Sequence, residues 1–72
     1  MSYMTRQQGA VLACIASCPG GRATAMELAQ RLRQEGQSVG LSTVYRQLEK
    51  LVSQGKVHKL LTEEGACYQY CD

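Results

Sequence analysis

Two helix-start signatures constrain this chain more than any other feature. Thr5 is followed three residues later by Gln8, and Thr24 by Glu27; each pair has the form of a capping box, a hydroxyl at the helix entrance and a carboxylate or amide one turn in. After the first, Val11, Leu12, Ile15 and Ala16 recur at helical spacing, and Cys18-Pro19-Gly20-Gly21 stops the run. After the second, Ala25, Leu28, Ala29 and Leu32 share one face, and Gly36 ends it. Two helices of three to four turns, joined by a few residues, must bury their apolar faces against something else, because helices this short depend on tertiary packing.

A third helix supplies that surface. Leu41, Val44, Leu48, Leu51 and Val52 follow the i, i+3, i+7, i+10, i+11 pattern, with Gly55 as the stop. Beyond Gly55 the texture changes to two short β-prone runs, Lys56 to Thr62 and Ala66 to Cys71, around Glu63-Glu64-Gly65, a three-residue connection with glycine at its left-handed position. The order predicts a mostly α fold with a small β-hairpin: three helices followed by a two-stranded antiparallel wing, a winged helix-turn-helix occupying residues 1–72 as one domain.

Size and composition narrow the function classes. A chain of 72 residues, 44% hydrophobic and 19% charged, folds rather than staying disordered. A domain this small buries only about 60% of its unfolded surface, which leaves little scaffold for a self-contained enzyme. No run approaches the roughly 20 apolar residues that cross a bilayer, and the start lacks the apolar core of a signal peptide, so the expected location is cytoplasmic and the expected partners exclude the membrane. In that setting Cys14, Cys18, Cys67 and Cys71 are expected to be reduced, with Cys14 and Cys18 acting as small core residues. Their two Cys-x3-Cys spacings could alternatively form a four-thiolate zinc site. A thiol enzyme using Cys67, Cys71 and His58 lacks both a Cys-x-x-Cys pair and a carboxylate to orient the imidazole.

The net charge of +2 is unevenly spread. Residues 41–59 hold Arg46, Lys50, Lys56 and Lys59 against Glu49 alone, whereas Glu63, Glu64 and Asp72 are the only charges in residues 60–72. On the third helix the apolar stripe fixes the opposite face, which carries Ser42, Thr43, Tyr45, Arg46 and Gln47 near the amino end and Lys50 one turn on. In a helix-turn-helix the second helix of the motif enters the major groove amino end first. There Arg46 suits guanine O6 and N7, and the Tyr45 ring suits a thymine methyl. Ser42, Thr43 and Lys50 suit phosphate. The same face also reads as a merely solvated surface, or as a winged-helix protein-docking module with Tyr45 as its one aromatic anchor.

Specific motifs go beyond periodicity. Thr5-Arg6-Gln7-Gln8 with Val11-Leu12, Thr24-Ala25-Met26-Glu27-Leu28, Val39-Gly40-Leu41-Ser42-Thr43-Val44-Tyr45-Arg46-Gln47-Leu48 and Leu51-Val52-Ser53-Gln54-Gly55-Lys56-Val57 closely resemble the DNA-binding domain of the ferric uptake regulator family. Thr43-Val44-Tyr45-Arg46 is the most specific of these, and the match runs from about Thr5 to Cys71. The resemblance implies a metal-responsive bacterial repressor, not an enzyme, that binds double-stranded DNA at A/T-rich palindromic operators as a homodimer. It implies DNA contacts by Tyr45 and Arg46 of the recognition helix; Ser42, Thr43 and Lys50 on the same helix, with Arg6 and Lys59, complete the expected set of DNA contacts. Such regulators are about twice this length, and the carboxy-terminal metal-binding dimerisation domain of the family is expected to lie beyond these residues.

Two departures from the family pattern carry information. Iron- and peroxide-sensing members often place a histidine two residues before the second helix's Thr24-Ala25, where this chain has Arg22. The zinc uptake regulator branch takes a histidine from the first wing strand and a cysteine from the end of the second, and His58 and Cys71 match those positions. The resemblance therefore implies a divalent metal, zinc before iron, with His58 and Cys71 as part of a site completed elsewhere. Cys67 matches no ligand position. Only Arg6 is basic at the amino end, which gives little for a minor-groove arm before Thr5.

Overall fold

The computed structural model describes residues 5–37, 39–63 and 65–71. Helix α1 spans Arg6–Ser17, β1 Arg22–Ala23, α2 Ala25–Gln34, α3 Leu41–Ser53, β2 Val57–Thr62 and β3 Gly65–Tyr70, with a single 3-10 turn at Pro19–Gly21. The three helices and the wing lie where the periodicity predicts. Three helices pack pairwise around one core, built from Val11, Cys14 and Ile15 of α1, Ala25, Leu28 and Leu32 of α2, and Val44, Leu48 and Leu51 of α3. Val57 and Tyr68 close it from the sheet side.

The helix ends follow from local hydrogen bonding. Thr24 accepts from the Glu27 N–H at 3.1 Å while its own N–H donates to Glu27 Oε1 at 3.3 Å, a complete capping box. At α1 only half of the predicted box forms: Thr5 Oγ1 accepts from the Gln8 N–H at 3.1 Å, but the Gln8 side chain turns into the core instead of back to the cap. Gln8 is i−3 from Val11 and i−7 from Ile15, on the buried stripe, and burial wins over the second cap bond. Helices α2 and α3 close with the same motif. At each end the residue after a left-handed glycine donates five residues back, Gln37 to Leu32 at 2.8 Å and Lys56 to Leu51 at 3.0 Å. Gly36 at φ 84° and Gly55 at φ 75° take the conformation that these closures require.

The sheet departs from the predicted two-stranded wing. Arg22 and Ala23 pair with Gln69 and Tyr68, so the order is β1-β3-β2, all antiparallel. A two-residue strand has no alternation to read, and it is visible only once β3 provides a partner. At the wing tip Thr62 pairs with Gly65, which makes Gly65 the first residue of β3 rather than a turn residue, and Thr62 Oγ1 donates to its carbonyl at 2.7 Å. Glu64, part of the predicted connection, lies outside the described residues. So does any arm before Thr5.

Three side-chain placements also differ from the expectation. Ala16 is exposed, and Cys14 takes the core position next to Ile15. Gln47 is buried, because it falls between Val44 and Leu51 on the inward stripe of α3 despite its polarity. Leu41 is 39% exposed, since the stripe it begins is already filled from Val44 onward.

Candidate nucleic-acid interface

Helix α3 presents two adjacent rows outward. Ser42, Arg46 and Lys50 stand at i, i+4 and i+8, one above another on the helix surface, and all three are exposed. Leu41, Tyr45 and Glu49 form the parallel row, also exposed. Thr43 sits half-buried at the flank. Arg46, Glu49, Lys50, Ser53 and Gln54 line one shallow hollow along this face. Directly behind it, Val44, Leu48 and Leu51 are fully buried, so the core sets the rotation of the helix and thereby which residues face out.

Neighbouring elements frame the helix. Lys59 pairs with Tyr68 across β2 and β3, and paired residues of an antiparallel ladder share a face, so exposed Lys59 belongs to the sheet face turned toward α3. Tyr68 is buried beneath this region. Burial pushes its hydroxyl above the ordinary tyrosine range, and the nearby Tyr45 hydroxyl and Glu49 carboxylate add to the effect. Arg6, exposed at the first position of α1, lines a hollow with Gln7, Ala10, Gln37 and Val39, beside the segment that leads into α3. The structure thus brings Ser42, Arg46, Lys50 and Tyr45 onto one helix face and sets Lys59 and Arg6 on flanking elements, with Thr43 at the edge. Gln47, grouped with them by its polarity, is not among them.

The two metal-ligand candidates fall on the other side of the sheet. His58 pairs with Gln69, and Cys71 follows Gln69 by two residues. The Cys71 N–H donates to the Lys56 carbonyl at 3.0 Å, which continues the ladder to that residue. His58 and Cys71 are therefore diagonal neighbours on the outer face, opposite the one that carries Val57 and Tyr68. Among the described residues no group of three or more histidine, cysteine and acidic side chains is arranged to hold a metal. The donor set fits a zinc ion in kind, an imidazole and a thiol, and amounts to half a tetrahedral site.

The cysteines divide as burial dictates. Cys14 and Cys18 are core residues, with the Cys18 thiol donating to the Cys14 carbonyl at 3.2 Å. Burial, reinforced by Cys18, pushes the Cys14 thiol up to about 11, which makes it a poor nucleophile and a poor metal ligand. Cys67 and Cys71 are half-buried on the opposite face of the sheet from the core, so a four-thiolate site is ruled out by topology. Sequence reasoning missed Tyr68 as a core residue; it is buried beside Ala23, its ladder partner in a strand too short to read.

Comparison with known proteins agrees with this architecture. The sequence profile of the ferric uptake regulator family matches residues 2–72. The chain is 38% identical over 68 residues to the zinc uptake regulation protein of Mycobacterium tuberculosis, covering 93% of this chain and 52% of that protein. It superposes on the crystal structure of FurB, a zinc uptake regulator from M. tuberculosis, with a TM-score of 0.81 at 35% identity, covering 93% of this chain and 52% of the other. On the ferric uptake regulator of Vibrio cholerae, a structure described for the rearrangement of its DNA-binding domains, the TM-score is 0.87 at 25% identity, covering 97% and 54%. The chain spans about half the length of the relatives it matches. A family of regulators agrees with the expectation of a chain that is not an enzyme, and no helix among the described residues is long and apolar enough to cross a membrane. With the profile spanning nearly every residue and the winged helix-turn-helix in place, the chain belongs to the ferric uptake regulator family.

Proposed function

We propose that this chain is the sequence-reading head of a metal-responsive transcriptional repressor acting in the cytoplasm, and that its ligand is double-stranded DNA carrying an A/T-rich palindromic site. The observation that carries the reading is the outward face of α3, where Ser42, Arg46 and Lys50 form a continuous polar and basic row next to exposed Tyr45. Set amino end first into a major groove, Arg46 donates two parallel hydrogen bonds to guanine O6 and N7. Tyr45 lays its ring on a thymine methyl. Ser42, Thr43 and Lys50 meet the flanking phosphates, as do Lys59 from the wing side and Arg6 from the start of α1.

A palindromic site offers two equivalent half-sites, and one head of this size covers only one of them, which favours a homodimer formed through a domain outside these 72 residues. His58 and Cys71 offer that larger protein one imidazole nitrogen and one thiolate, and a bound divalent metal, zinc by the donor chemistry, supplies a link between the wing and ligands elsewhere. Metal control then consists of favouring the arrangement in which two heads meet successive groove faces, which requires a difference in DNA affinity between the two arrangements. The chain by itself binds DNA without metal control.

Titration against an A/T-rich palindromic duplex and a scrambled one, at two salt concentrations, tests the reading. Binding that falls with salt by about 0.9 log units per log unit of salt for each phosphate neutralised is the expected result. An interaction indifferent to salt, or none, contradicts it and turns attention to the protein-docking alternative.

A further inference from the structure

We propose that Leu41 is a second reader of thymine methyl groups, working beside Tyr45 at the amino end of α3. This rests on the DNA-binding reading and adds to it a residue that the polar face does not include. Leu41 is 39% and Tyr45 45% exposed, and they stand at i and i+4, where side chains are in contact on a helix surface. They form the one pair of large exposed apolar residues in neighbouring positions among the described residues, since Met26, Leu61 and Tyr70 stand on α2, the wing tip and the end of β3.

The core does not account for Leu41. Val44, Leu48 and Leu51 are fully buried and fill the inward stripe, and Val39 packs against the core from the segment before the helix. Leu41 is instead the first residue of α3, and helical side chains lean toward the amino end, so it overhangs the end that enters a groove first. Its surroundings leave room for a base edge: Gly40 caps the helix with no side chain, and a methyl built there would meet nothing within 4 Å. No acidic residue occupies the first turn to repel phosphate. The thymine methyl is the one apolar group that a base pair shows in the major groove, and it is the matching surface for a leucine there. Two rows of α3 thus divide the reading, Ser42 and Arg46 on polar edges and phosphate, Leu41 and Tyr45 on methyls.

The test uses this chain and the duplex it selects from a random-sequence pool. Each thymine is replaced singly by deoxyuridine, which removes the methyl and keeps the base pair. The expected result is a thymine, separate from the one under Tyr45, at which the unaltered chain loses affinity about fourfold, the value of one buried methyl-sized group. Leu41→Ala should bind the selected duplex about fourfold more weakly and show no further loss at that deoxyuridine, while Leu41→Met retains the methyl dependence. Circular dichroism of Leu41→Ala checks that the helices remain. If Leu41→Ala keeps the full deoxyuridine penalty at every thymine while Arg46→Ala still weakens binding, the inference falls and the DNA-binding reading stands. If the unaltered chain shows no methyl dependence anywhere, Leu41 reads no thymine. If no duplex is enriched or bound in a salt-dependent way, both fall.

Discussion

The backbone N–H of Cys71 donates to the carbonyl of Lys56 at 3.0 Å, one ladder pair beyond the last paired residues of β2 and β3. The bond spans the full hairpin in sequence, and it does two things. It anchors Cys71 on the outer face of the sheet, diagonal to His58, and it joins the closure of α3, where Lys56 N–H donates to Leu51, to the end of the wing. The end of the wing is thus tied to the carboxy end of α3 through a single residue.

This geometry sets the metal prediction. Zinc should bind the isolated chain weakly, because among the described residues two donors are in place and no larger group, and His58→Ala or Cys71→Ser should each remove what binding there is. Calorimetric titration of zinc into the three chains checks it. Tight binding that neither substitution changes would assign the metal to other residues.

The fold should be sensitive to single core truncations. Leu48 is fully buried between the three helices, and Leu48→Ala should cost about 2–5 kcal/mol, comparable to the whole stability of a domain this small. Urea unfolding followed by helical ellipticity measures it, and a loss under about 1 kcal/mol would contradict the packing described.

Much of this was legible from residue type and spacing, and the exceptions have physical causes. Gly36 and Gly55 mark the helix ends because only glycine accepts a left-handed φ without strain, and that requirement is local. Tyr45, Arg46 and Lys50 were legible because the inward stripe of Val44, Leu48 and Leu51 leaves them no other direction. Gln8 and Gln47 were not, since helix position overrode side-chain polarity: Gln8 Nε2 and Gln47 Oε1 are buried without a hydrogen-bond partner among the described residues. Strand β1 depends on pairing between residues nearly fifty positions apart, which no local pattern encodes.

The half-formed capping box at α1 and the complete one at α2 predict unequal effects. Thr24→Ala should destabilise by about 1 kcal/mol, since the Thr24 hydroxyl both accepts from the Glu27 N–H and contacts its carboxylate. Thr5→Ala removes a single bond and should cost less. Equal losses in paired urea melts would show that the Thr24 hydroxyl's contact with the Glu27 carboxylate contributes nothing.

Cys14 gives a pH prediction. Its folded thiol is pushed up to about 11 from 9.0, so between those values the unfolded chain has released the proton and the folded chain has not. Unfolding then releases a proton, and the contribution of Cys14 to stability is complete below pH 9 and declines as pH rises toward 11. The stability difference between the unaltered chain and Cys14→Ala should narrow across that window. Alkylation at pH 8 should modify Cys67 and Cys71 well before Cys14; rapid labelling of Cys14 in the folded chain would contradict its burial.

In the proposed complex α3 reads bases through Arg46 and holds phosphate through Lys50. The most direct test compares Arg46→Ala and Lys50→Ala on a selected palindromic duplex and on a scrambled one of equal length and composition. Arg46→Ala should weaken the selected complex by about 5- to 150-fold and bring the two duplexes close together in affinity, while Lys50→Ala should weaken both alike and lower the salt slope by about one. If Arg46→Ala leaves the preference between the duplexes intact, this helix does not read the sequence.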